Sequence, residues 1–249
     1  YKGGVLYVEK TEILDIRYSS FTKNTGKYEG TLYAEDCLEI FIKYSHFLEN
    51  SVTSKGGALF LNDNQILQLL KVDFRLNKAK KRAGVLFNDG CDRAFVLHSL
   101  VIGNIAYHRV GAIHLDDVKH AVINGSKFIK NMAKVFAGGL MLLGIEFAKV
   151  INSQFINNKA GHFGGGMSID DTKVVVIFQI MFVNNTSTYA AGLYVKDCKI
   201  IEILISNFVK NVCRKMFKEI KLVTQGGGAL ISKAKNVSII TVIFINNIA

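Results

Sequence analysis

Residues 57–77 read GALFLNDNQILQLLKVDFRLN, and this stretch decides the fold because the chain repeats its grammar from end to end. It closes on F-x-x-N. The same close, with Val for Phe in one copy, places asparagines at Asn24, Asn50, Asn77, Asn104, Asn131, Asn158, Asn185, Asn211 and Asn247. Their steps are 26, 27, 27, 27, 27, 27, 26 and 36 residues. A fixed period in the twenties belongs to stacked supersecondary units rather than to one globular core.

The opening of the stretch is a second anchor. Small pairs recur at Gly3-Gly4, Gly56-Gly57, Ala83-Gly84, Gly138-Gly139, Gly165-Gly166, Ala191-Gly192 and Gly227-Gly228, with single Gly30 and Gly111. From Gly4, Gly30, Gly57, Gly84, Gly111, Gly138, Gly165 and Ala191 to the next Phe or Val anchor is always 17 residues. Length therefore varies only after each Asn, as in a solenoid with one tolerant edge. The long step holds a loop insertion over 212–225, with charged and apolar residues suited to a helical turn. The chain begins and ends inside a repeat, so we expect a single segment, 1–249, of a longer protein.

Within each unit, alternation marks strands. Leu59 and Leu61 with their counterparts point inward as aliphatic ladders. The residues between them, Tyr7, Tyr33, Phe60, Phe87, His114, Met141, Ser168 and Tyr194, are expected to point outward as an exposed row. Tyr7, Tyr33, Phe60 and Phe87 are then a candidate carbohydrate platform. Asp and Asn residues follow, suited to a turn because their side chains bond nearby N–H groups. The second strand has an apolar outer side: Phe41, Leu70, Phe95, Leu97, Val122, Ile151, Val176, Phe178 and Leu204. A free sheet is polar there, so this face is expected to be an interface. In the third strand, S-x-F-x-x-N, the Phe side chains are expected to stack inside, and the asparagines to form an amide ladder while tolerating left-handed backbone angles.

Composition excludes several classes. With 249 residues and 49% apolar content the chain can bury a large core. It has no run of 18 apolar residues, so no membrane span is expected in this segment. It has no proline, consistent with walls of hydrogen-bonded strands. The net charge of +11 collects in the loops after each Asn, including Lys78, Lys80, Lys81, Arg82, Arg214, Lys215, Lys218 and Lys221; a solvated edge or an anion-binding edge is expected there. Nucleic acid is not an expected partner, because no recognition module appears. The spacing of the cysteines gives no zinc or redox motif, and Cys37, Cys91 and Cys198 share a column without being neighbours. No metal or cofactor is expected. His114 and His120 with Asp116 and Asp117 are the one constellation that invites a catalytic test. Sequons make Asn124, Asn184 and Asn236 glycosylation candidates, whereas that at Asn185 falls on the ladder and is expected to be buried.

Three strands per coil with inward ladders and an Asn corner describe an all-β, right-handed parallel β-helix of about nine coils, roughly 40 Å long at about 4.8 Å per coil. A leucine-rich repeat shares the period but requires a helix or arc where the Gly-initiated strand stands. The paired GGA-aliphatic (Gly56 to Leu59, Gly227 to Leu230) and F-x-x-N motifs resemble the repeats of chlamydial polymorphic outer-membrane proteins, related pectin-lyase-like surface proteins and protist surface proteins. That resemblance implies extracellular adhesion, although no autotransporter barrel is visible. The expectation is a non-enzymatic structural or adhesive scaffold segment at the cell surface, whose partners are itself or another scaffold chain. The alternative is a carbohydrate-binding or polysaccharide-cleaving protein.

Overall fold

The chain is described here by a computed structural model covering residues 4–214 and 225–249. Gly3, Lys215, Lys218, Lys221 and most of the expected 212–225 insertion lie outside the described residues. The protein is all-β, a parallel β-solenoid of about eight turns. Every strand pairs in parallel with the strand one repeat away: Leu59 stands beside Leu32 and Leu86, and Phe74 beside Phe47 and Val101.

Three sheets run along the stack. The first joins the Gly-initiated strand and the second strand of each unit, often as one strand such as Leu86–Leu97 or Ile113–Asn124. The second sheet holds the F-x-x-N strands, such as Asp73–Arg75. The third is a ladder of two-residue strands just after the asparagines, such as Lys78–Ala79. Sequence alternation sets what each buries. Leu59, Leu86, Ile113 and Leu140 are fully buried, as are Ile40, Leu67, Ala94 and Ala121 on the second strand. Each buried leucine contributes about 2 kcal/mol. The phenylalanines stack face to face inside, with centroids 4.6 Å apart for Phe21 and Phe47 and 4.8 Å for Phe128 and Phe155. Val101 interrupts the stack.

Four columns of left-handed backbone bend each coil. One is the acidic turn, where Asp36, Asp63, Asp117, Asp171 and Asp197 adopt positive φ together with Gly90 and Gly144. Asp and Gly tolerate this conformation best. At the asparagine corner the positive φ falls on the residue before the ladder, such as Leu76, Lys130 or Asn157, and not on the ladder asparagine. This corrects the expectation that the ladder residue takes the left-handed angle. Its amide is instead held by four hydrogen bonds. For Asn131, Oδ1 accepts from the backbone N–H and Nδ2 of Asn104, while its own Nδ2 donates to Asn158 Oδ1 and to Val101 O. Asn50 through Asn211 are fully buried. The serine column works similarly: Ser126 Oγ accepts from the Ser99 N–H.

The column of Gly57, Gly84, Gly111, Gly138 and Gly165 is required by closeness. A Cβ on Gly111 would stand 2.4 Å from Gly138 O, where no side chain fits.

Candidate functional site

The alternation places Phe60, Phe87 and His114 on the opposite side of their strand from the core, but they do not face solvent. Tyr33, Phe60, Phe87 and His114 are each at most 5% exposed. The segment between the asparagine corner and the small pair folds over them and forms a ladder of its own, Lys55 beside Arg82 beside Arg109, and Phe136 beside Phe163 beside Tyr189. The two columns trade volume. At Phe87 the covering residues are cationic: Lys55 Nζ lies 4.4 Å and Arg82 Cζ 5.9 Å from its ring centroid. Where the strand narrows to Ser168, the cover supplies Phe163, whose ring packs 4.7 Å from that of Tyr194. The exposed row is thus corrected to a second, covered core. Of the four platform residues only Tyr7, at 43%, is exposed; Tyr33, Phe60 and Phe87 offer no ring face to a sugar.

His114 sits in this covered column, edge-on to Phe87. Both its ring nitrogens are buried without a hydrogen-bond partner. Burial, reinforced by Arg82, Arg109 and Lys55, lowers its pKa to about 3, so the ring is neutral at pH 7. Asp116 stands two residues on, beside Asp89 of the preceding coil. Burial, with the Asp89 charge adding to it, raises its pKa to about 6 against the opposing pull of Arg82. The His114 Nε2 to Asp116 Oδ2 separation of 3.9 Å is too long for a hydrogen bond, and a neutral imidazole makes no ion pair across it. Asp117 is the bend itself, and His120 lies beyond that bend, exposed, with its ring tilted against Phe147. The fold brings His114 and Asp116 near each other and leaves His120 apart. Leu143 separates Asp116 from Asp170 in their column.

The expected interface residues fall into two outward columns of the first sheet. Phe41, Phe95, Val122 and Val176 alternate with Gln68, Lys149 and Glu202, while Leu70, Leu97, Ile151, Phe178 and Leu204 are interrupted by Asn124. All nine are half-buried, each flank covered by the neighbouring coils. A further column escaped the sequence reading: Ile102, Ile129, Ile156, Val183 and Val209, stacked without interruption on the outside of the second sheet. The aliphatic residue after each Phe of S-x-F-x-x-N was its available signal. Among the glycosylation candidates, Asn184 and Asn236 are exposed and Asn124 is half-buried. Asn185 is fully buried in the ladder.

Cys37, Cys91, Cys198 and Cys213 are free, buried thiols. Burial raises Cys91 to about 11, which leaves it protonated and unreactive at pH 7. Among the described residues no three His, Cys, Asp or Glu side chains converge as metal ligands, and no helix is long and apolar enough to cross a membrane. No protein-family model, curated protein or solved structure matches this sequence. The functional reading therefore rests on the chain's own geometry.

Proposed function

We propose that this chain is a structural segment of an extracellular or cell-surface scaffold, a right-handed β-helical rod that assembles side by side with itself or with another scaffold chain. The observation that carries this reading is the set of outward apolar columns, Leu70, Leu97, Ile151, Phe178 and Leu204 on one wall, interrupted by Asn124, and Ile102 through Val209 on the next. Hydrogen bonds along the axis, as at the asparagine ladder, make the rod stiff, so apolar columns hold a fixed spacing and a neighbouring rod meets many contacts at once. The likeness of its repeats to those of polymorphic outer-membrane proteins adds an adhesive role and an outside location.

Sedimentation of the native protein should show a multimer. Leu97→Asp or Phe178→Asp should dissociate it with the circular dichroism spectrum intact, because both side chains stand on the outside of the sheet. A monomer indifferent to both changes removes the assembly claim. Surface location is tested by protease shaving and by mass spectrometry of the sequons. Glycans on Asn184 or Asn236 agree with this reading. Asn124 stands between Leu97 and Ile151 in the proposed contact, so a glycan there is incompatible with lateral packing through that column.

A further inference from the structure

Over five consecutive coils the edge that covers the second core carries one sign of charge, whereas the coil before them contributes Glu29. Segments 51–55, 78–82, 105–109, 132–136 and 159–163 contain eight lysines and arginines and no Asp or Glu. Elsewhere on the rod several cations pair with carboxylates: Arg17 with Asp15, Arg75 with Asp73, Lys119 with Asp92, Lys173 with Glu146, Lys196 with Asp197. Among the described residues, none of the edge cations has a carboxylate within ion-pair distance. Lys55, Arg82 and Arg109 stack in register on consecutive coils, about 4.8 Å apart, where like charges repel. Arg109 Nε is buried without an acceptor.

Beside this column lies an open trough of about 340 Å³ lined by Ile105, Tyr107, Met132, Lys134 and Lys159. Tyr107 is 56% and Met132 39% exposed. Lys80 stands on the coil before Tyr107 and is exposed, as are Lys134 and Lys159.

The geometry points to a binding site for a linear anionic polysaccharide, sulfated or uronic, laid across these coils. Its acid groups neutralise Lys80, Lys134 and Lys159, and the apolar C–H face of one ring covers Tyr107. A sugar chain suits the trough because each ring presents an apolar face and charged edges together. Polyphosphate offers charge with nothing to cover Tyr107 and Met132. The trough shares no residue with the apolar outer columns, so its variants and those of lateral assembly are tested separately.

The test is retention on immobilised heparin at 0.15 M salt, where charges within about 8 Å still act on one another. The native protein should be retained and released by 1 M salt. Lys80→Glu with Lys134→Glu should weaken binding about tenfold or more, while Lys119→Glu with Lys173→Glu, which reverses two paired lysines elsewhere, should change it less than about twofold. Tyr107→Ala should weaken heparin binding severalfold and leave polyphosphate binding unchanged. Absence of retention, equal loss in both double variants, or indifference to Tyr107→Ala overturns the proposal. Tighter binding to phosphatidylserine vesicles or to a DNA duplex than to heparin, abolished by the same edge variants, also overturns it by assigning the edge to another polyanion.

Discussion

The asparagine corner and the interior near Asn88 both bury amides completely, yet they treat them in opposite ways. Asn131 has asparagines directly above and below it, and every polar atom of its side chain finds a partner one coil away. Asn88 occupies the aliphatic column between Leu61 and Leu115, and neither its Oδ1 nor its Nδ2 has a partner. A column repeats one environment along the axis, so a buried amide is satisfied at both atoms where its neighbours are amides and left with an orphan where it enters alone. Asn64, alone in the cysteine column, is intermediate: its Oδ1 accepts from the Cys37 N–H while its Nδ2 has no partner.

One substitution made at both places breaks the comparison most severely. Asn131→Leu strands the Asn104 N–H and the Val101 carbonyl, and should cost about 3–5 kcal/mol in urea unfolding. Asn88→Leu extends an aliphatic ladder and removes an unpaired amide, so it should raise stability by about 1–3 kcal/mol. Equal signs for the two changes would refute the column argument.

His114 sharpens the comparison through pH. Its folded pKa of about 3 lies below its ordinary 6.5, so the folded state binds fewer protons than the unfolded one between those values. The stability this group contributes is complete above pH 6.5 and is lost as pH falls toward 3. His114→Phe continues the aromatic column and should flatten that acid loss. The difference in melting temperature between variant and native protein should therefore widen from pH 7 to pH 4. Asp116 runs oppositely. Its raised pKa makes the native fold lose stability as pH rises from about 4 to 6, and Asp116→Asn should remove that slope.

The smallest effect belongs to the bend before the serine column. Ile205 is exposed and held at φ 47°, where the equivalent positions are Gly125 and Asn152. Ile205→Asn should gain about 1 kcal/mol by relieving a β-branched residue of a left-handed backbone, and a lower urea midpoint would contradict it.

The repeat made most of the solenoid legible. The inward Leu, Ile and Phe ladders, the buried asparagines and the bend at Asp63 and Asp117 all follow from period two within strands and a period near 27 between coils. The left-handed angle was misplaced by one residue, because an amide that tolerates it and an amide that bonds along the axis look the same in sequence. The outward row was misread for a different reason. Alternation tells which side of its strand Phe87 occupies, but not that residues 78–82 fold back across that side.

By itself, the sequence determined the coil and the identity of its inward ladders, because each is a local pattern multiplied by stacking. Only the tertiary structure decided which outward positions meet water. That depends on the path of the segment after each asparagine, a segment whose side chains lie against both the strand that follows it directly and the strand one coil further on, as Lys55 does against Phe60 and Phe87. It buried the expected sugar platform at Phe60 and Phe87, and it left Tyr107, Lys134 and Lys159 in the open.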